Sequence, residues 1–416
     1  MARTNERNFL AVLSSNAIAT GIGFVVNIII ARSLPVQAYG VFGTLAVILS
    51  MLPMILDMGL GTAIVRFACV EDDDSRAVIL NSVNLFKFCA GLFLTLLSIA
   101  CAKPLSNLLF NESTYTSSLR IVFIGAFFQQ LAFTFQSFLQ TRPTLTLYTS
   151  FNLLPAAVKL LLFATAVTFG VVTLKLAMVF FSICSLVAFV WGIFLFRERL
   201  RLQFDRDLLK KLLLFSRWVA VSTILSVVLT RVDIFMLNKL ADKLQLGYYY
   251  AAFQLAFVFP IITMSLTNTL LPKVSALSTV KQQREYVRRI VRFAPLVAVG
   301  YVLVAEAAQW LLPLCFGARY QQAVMPFICL LSVFMLGMII TPLGMIVYPL
   351  NKPHLHVYLF GVQIAVNIAV DYLMIPGYGA VGAAMGTVAA KLLGALMICT
   401  WIWRHLYGRT AVVAPD

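Results

Sequence analysis

Twelve long apolar segments run through this chain, at roughly 9–31, 39–64, 78–101, 118–140, 149–170, 174–196, 216–238, 248–271, 290–312, 325–349, 355–376 and 380–403. Each can cross about 30 Å of hydrocarbon at ~1.5 Å of helix rise per residue. Hydrocarbon offers no water to an open backbone, so each segment must satisfy its own N–H and C=O groups as a helix. The pattern predicts an all-α integral membrane protein of about twelve transmembrane helices in two six-helix lobes. Composition agrees: 61% of the residues are apolar and only 12% charged, about half the charged share of a soluble domain. A disordered chain and a disulfide scaffold are excluded on the same grounds. The first apolar stretch, Phe9 to Ala31, is too long for a signal-peptide core and is expected to be the first retained span.

The net charge of +16 would suggest nucleic acid in a soluble protein. Here it has another origin. With the N-terminus placed in the cytoplasm, 21 of the 32 Lys and Arg fall on cytoplasmic segments and 6 on external loops. This asymmetry orients membrane proteins, and it predicts cytoplasmic N- and C-termini and no nucleic-acid partner. The seven Cys form no CxxC pair, and the three His have no acidic or Cys companions, so no metal site and no cofactor are expected. The longest external loop, 102–117, has 16 residues. That leaves no room for soluble-type catalytic machinery, and the chain is not expected to be an enzyme.

The longest internal loop, 197–217, carries Leu200, Phe204, Leu208 and Leu212 every fourth residue among basic neighbours. It predicts a cytoplasmic amphipathic linker on the membrane surface. An N-terminal lobe (1–196) would precede it and a C-terminal lobe (218–416) would follow. A second basic amphipathic segment, VKQQREYVRRIVR (280–292), joins spans eight and nine.

Ionisable residues inside spans are costly unless they face a partner or a wet cavity, which makes them functional candidates. Lys87, Lys159 and Lys391 fall near the midplane, with no acid expected at their depth. Arg231, Asp233, Glu306 and Asp371 fall five to seven residues from the outer ends of their spans. Cations stranded at mid-membrane call for an anion, so Lys87, Lys159, Lys391 and Arg231 are candidates for binding a diphosphate. Asp233, Glu306 and Asp371 are candidates for a coupling ion. The competing reading is that these charges bolt helices together, and for Arg231 and Asp233 both readings stay open. Asp57 is expected to pair with Arg66 or a helix terminus, and Asp57, Arg66 and Arg32 are assigned to structure or gating. Asp74 or Ser75 is expected to cap span three. Pro53, Pro155, Pro260, Pro295 and Pro342 are expected to interrupt spans. Amides such as Gln130, Gln136, Asn152, Gln363 and Asn367, beside aromatics such as Phe127 and Tyr249, suit a sugar-handling cavity but serve equally as helix glue.

ARSLPVQAYGVFG (31–43) followed by LDMGLGTAIVRF (56–67) resembles the opening of polysaccharide and O-antigen flippases, the Wzx type of the MOP transporter superfamily. RVDIFMLNKL (231–240), GYYYAA (247–252), LLPKVS (270–275) and NIAVDYLMIPGYGAVGAAMGT (367–387) resemble the corresponding second-half motifs. The resemblance implies export of an undecaprenyl-diphosphate-linked oligosaccharide across the bacterial inner membrane. It implies two lobes that alternate access to a cationic cavity, with ion coupling in some members. It also implies membrane lipids and glycan polymerase or assembly proteins as partners. A multidrug or metabolite antiporter is the runner-up. A polytopic glycan polymerase or ligase fits less well, because such enzymes need a sizeable external loop.

Overall fold

The computed structural model describes residues 2–69, 72–141, 145–201, 203–275, 277, 279–347 and 354–407. All regular structure among the described residues is helical. The chain divides into two compact units, Met1–Val227 and Val228–Asp416.

The first unit contains α1 (Ala2–Ser33), α2 (Val36–Leu56), α3 (Leu60–Ala68), α4 (Asp73–Ala100), α5 (Ala102–Phe110), α6 (Thr116–Thr141), α7 (Leu145–Thr168), α8 (Leu174–Phe196) and the start of α9 (Arg206–Leu240). Helix α6 is its hub and packs against α2, α3, α4 and α8, while α7 packs on α1 and α8. Its interior positions include Val122, Leu131, Phe135 and Leu139, all buried.

Span two is not one rod. It ends at Leu56 and resumes at Leu60, because Met58 and Gly59 take left-handed φ of 51° and 72°. Gly59 is needed twice here. A side chain would be strained at this φ, and a Cβ would lie 3.0 Å from both the Ser216 carbonyl and the Val219 side chain. Gly59→Ala is therefore expected to cost more than ~1 kcal/mol, visible as a lowered thermal midpoint in detergent. A wild-type midpoint would show that the break tolerates a side chain.

The linker also differs from expectation. Leu209 and Leu212 are buried and Leu208 and Phe215 partly so, packed with Leu60, Ala63 and Ile64 of α3 and Leu139 of α6. From Arg206 onward the linker continues into span seven as one helix, so part of its apolar stripe covers protein; Phe204 stays exposed. Asn81 fastens the preceding turn, donating to the Arg199 carbonyl at 3.0 Å and accepting from the Arg201 N–H at 3.1 Å. The cap of α4 is Asp72 rather than Asp74 or Ser75: it accepts from the Ser75 N–H at 3.1 Å, and hydrogen bonding from the Ser75 side chain, then from this N–H, holds its carboxyl below the usual range.

The second unit contains the rest of α9, then α10 (Lys243–Ala256), α11 (Val258–Ser275), α12 (Val280–Val291), α13 (Ala294–Phe316), a 3-10 turn (Ala318–Ala323), α14 (Val324–Gly344) and α15 (His354–Tyr407). Pro260 and Pro295 lie in the first turns of α11 and α13, where a missing N–H costs nothing, just after the breaks at Phe257 and at Arg292–Phe293 that interrupt the expected spans eight and nine. Pro53, Pro155 and Pro342 do lie inside α2, α7 and α14.

Eleven helices among the described residues are long and apolar enough to cross a membrane. The last of them, α15, holds two of the expected spans. Its backbone breaks from helix at Gly379, and Gln245 Oε1 accepts from the Ala380 N–H at 3.1 Å beside the break. Gln363 lies over Gly394, Asp371 over Gly386 and Met374 over Gly382, so the two arms run antiparallel. The chain is an all-α integral membrane protein with about twelve spans.

Candidate functional site

Each unit buries a polar cluster among apolar helices. In the first, Lys87 of α4 is 1% exposed, and its ammonium donates to Asp57 Oδ1 at 2.5 Å and to Thr134 Oγ1 of α6 at 3.1 Å. The other Asp57 oxygen accepts from the Gly61 N–H at 2.9 Å, at the start of α3. Asp57 thus bridges both sides of the α2–α3 break, where a helix N-terminus favours negative charge. Lys87 is therefore not the stranded cation expected, because the break brings an acid to its depth. Of the two partners expected for Asp57, the helix terminus is the one found; Arg66 is not, and its guanidinium lies 4.5 Å over the Phe215 ring on an exposed face. Arg32 is exposed in the last turn of α1, outside this cluster.

Lys159 of α7 has a different setting. Its ammonium sits 4.4 Å over the Phe181 ring of α8, and Phe181 packs edge-on to Phe42 of α2. Among the described residues no carboxylate pairs with it. An aromatic face stabilises a desolvated cation by ~2 kcal/mol without neutralising it. Seven residues earlier on α7, Asn152 accepts from Gln136 of α6 and donates to Asn16 of α1.

In the second unit, Asp233 of α9 is buried. It accepts from the Ile234 N–H at 2.8 Å, from the Tyr249 hydroxyl of α10, and from the Thr387 hydroxyl of α15 at 3.1 Å. Asp371, on the opposite arm of α15, is fully buried, and its Oδ1 has no hydrogen-bond partner among the described residues. That oxygen rests against Gly386, where any side chain would displace it. With its amide correctly oriented, Asn367 donates to Asp371 Oδ2 at 3.2 Å. Lys391, one turn beyond Thr387, is half-buried and makes no ion pair among the described residues. Arg231 does not pair with Asp233; its guanidinium lies 4.8 Å and 5.6 Å over the Phe253 and Phe257 rings. Glu306 does not join the cluster. It is exposed on α13, off the buried stripe of Ala308, Leu312 and Phe316.

A protein-family model described as "Polysaccharide biosynthesis protein" matches residues 29–325, well over half the chain. The chain belongs to the polysaccharide biosynthesis protein family. A Shigella flexneri protein described as an O-antigen transporter is 23% identical over 202 residues, 47% of this chain and 47% of that protein. The chain thus matches about half the length of that relative. A Klebsiella pneumoniae protein described as an uncharacterized membrane protein in the cps region is 25% identical over 94% of this chain and 80% of its own. Among solved structures, the lipid II flippase MurJ in an inward closed conformation has a TM-score of 0.79 at 14% identity, covering 94% of this chain and 87% of that one. An inward-facing multidrug MATE transporter of the MOP superfamily has a TM-score of 0.69 at 14% identity, covering 95% and 96%. At such identities these likenesses show a shared fold.

In this polysaccharide biosynthesis protein, sequence reasoning passed over Thr134 and Thr387. Neutral hydroxyls raise no alarm in a membrane span. The available signal for Thr387 was its place opposite Asp371 once the chain turns back at Gly379.

Proposed function

We propose that this chain is a flippase. It carries an undecaprenyl-diphosphate-linked oligosaccharide from the cytoplasmic to the outer leaflet of the bacterial inner membrane by alternating access, with both termini cytoplasmic. Family membership and the description of the Shigella relative as an O-antigen transporter support the reading. The observation that carries it at the residue level is Lys159. Its ammonium is held on an aromatic ring without a carboxylate among the described residues, in a unit whose other buried Lys is already neutralised. Such a cation favours an anionic headgroup, and lysine binds phosphate as a point charge.

The test is complementation of a strain lacking its own O-antigen flippase, read as surface glycan at matched membrane levels of the protein. Wild type is expected to restore export. Lys159→Gln is expected to lower it about tenfold, since a charge-assisted hydrogen bond contributes ~1.5–3 kcal/mol. Failure of the wild type with any lipid-linked glycan would remove the flippase reading; full export by Lys159→Gln would remove only Lys159's role.

We assign the oxygen-rich set of Asp233, Asp371, Asn367 and Thr387 to a coupling cation, H+ or Na+. Lys391 and Arg231 remain candidates for the diphosphate, and glycan polymerase or assembly proteins are the expected partners. A multidrug antiporter shares the fold and is the second reading. It predicts drug resistance on expression, with no restored glycan.

A further inference from the structure

Helix α12 presents two unlike surfaces. Inward, Ile290 is buried, and Val280, Tyr286 and Val287 pack with Leu343, Ile346, Ile398 and Ile402. Outward, Lys281, Arg284, Arg288, Arg289 and Arg292 face a single acid, Glu285, along a cleft of about 580 Å³. Arg284 is committed to the Leu406 carbonyl, with its Nε at 2.8 Å. Lys281, Arg288, Arg289 and Arg292 make no ion pair among the described residues. Four basic groups without acid partners on one short helix form a standing anion trap.

Arg289 also stands at the rim of a second cleft, about 620 Å³, that opens between α11, α12, α13 and α14. Its walls are mostly apolar, with Leu266, Leu270, Phe293, Leu296 and Met338, and Arg289, Glu285 and Gln282 are its polar lining residues. Its size falls within the roughly 300–1,000 Å³ of pockets that bury a small ligand. A mostly apolar slot that shares Arg289 with the neighbouring basic cleft of Arg288 and Arg292, at the start of a membrane span, complements one molecule class on both counts: a charged phosphate headgroup joined to a hydrocarbon tail. Basic pockets between spans are a recurrent setting for anionic lipid.

We infer that this is a fixed site for one anionic phospholipid of the surrounding bilayer, its phosphate on Arg288, Arg289 and Arg292 and one acyl chain in the slot. The site is separate from the buried clusters of the transport reading and stands or falls without it.

The experiment is native mass spectrometry of the full chain in detergent, titrated with palmitoyl-oleoyl phosphatidylglycerol. One retained lipid per chain is expected, at least fivefold favoured over phosphatidylcholine with the same tails and over short-chain dihexanoyl phosphatidylglycerol. Arg288→Gln/Arg289→Gln/Arg292→Gln is expected to lose that preference. Val297→Phe, which narrows the slot, is expected to lose the tail requirement while keeping an unchanged thermal midpoint. Equal retention of phosphatidylcholine would overturn the site. So would an equal loss in the control Arg206→Gln/Lys210→Gln, which would reveal diffuse charge attraction. Displacement by equimolar undecaprenyl phosphate would also overturn it, by assigning the slot to the substrate's own tail.

Discussion

Lys87→Met is expected to destabilise the first unit by ~3–5 kcal/mol, among the largest effects of any single substitution in this chain. The reason is the charge it leaves behind. The Asp57 side chain is only 16% exposed, and its Oδ1 would lose the ammonium 2.5 Å away. Breaking a buried pair from one side costs far more than the pair contributes, because an uncompensated charge stays in low dielectric. Asp57→Asn alone should cost at least as much, because it strands the ammonium of Lys87, which is the more deeply buried partner, even though the amide oxygen still accepts from Gly61 N–H. The combination Lys87→Met/Asp57→Asn is then expected to recover most of the loss. It removes both charges while the introduced amide keeps the start of α3 capped. Thermal unfolding in detergent, arranged as a double-mutant cycle, measures the coupling. Additive losses, or wild-type midpoints in all three variants, would show that the pair does not hold the α2–α3 break together.

The second large effect is expected at Asp233. Asp233→Asn keeps an acceptor for Tyr249 and Thr387 but removes the charge around which four helical segments arrange their oxygens. If the cluster binds the coupling cation, gradient-driven glycan export should fall about a hundredfold, the equivalent of ~3 kcal/mol. Protein level and thermal midpoint should stay near wild type. Inverted membrane vesicles with an imposed proton or sodium gradient separate the two ions: the gradient that drives the wild type and fails to drive Asp233→Asn names the cation. Transport by Asp233→Asn and Asp371→Asn at the wild-type rate under both gradients would exclude this cluster from coupling.

The spans were legible because hydrocarbon admits few alternatives to a helix, and the twelve apolar runs carry that constraint directly. The pairing inside them was less so. A continuous helix through span two would hold Asp57 in the inner third of the membrane, away from the midplane Lys87. Two left-handed residues, Met58 and Gly59, restart the helix and move the carboxylate within reach of the ammonium. The Gly59-Leu60 pair hinted at a break, but a φ above zero cannot be read from one glycine. Glu306 is the opposite case. The four-residue spacing of Ala308, Leu312 and Phe316 marks the packed face of α13, and following that stripe would have set Glu306 apart from Asp233 and Asp371. Lys159 and Asp371 were recognisable as ionisable groups within spans. The Phe181 ring beneath one and the Gly386 backbone against the other belong to neighbouring helical segments and required the fold.

The clasp between Arg284 and the Leu406 carbonyl ties α12 to the second arm of α15. That arm, beyond the break at Gly379, also carries Lys391 and Thr387, whose hydroxyl donates to Asp233 of α9. A displacement of α12 at the membrane surface would therefore pull on the same helical arm that holds Thr387 against Asp233.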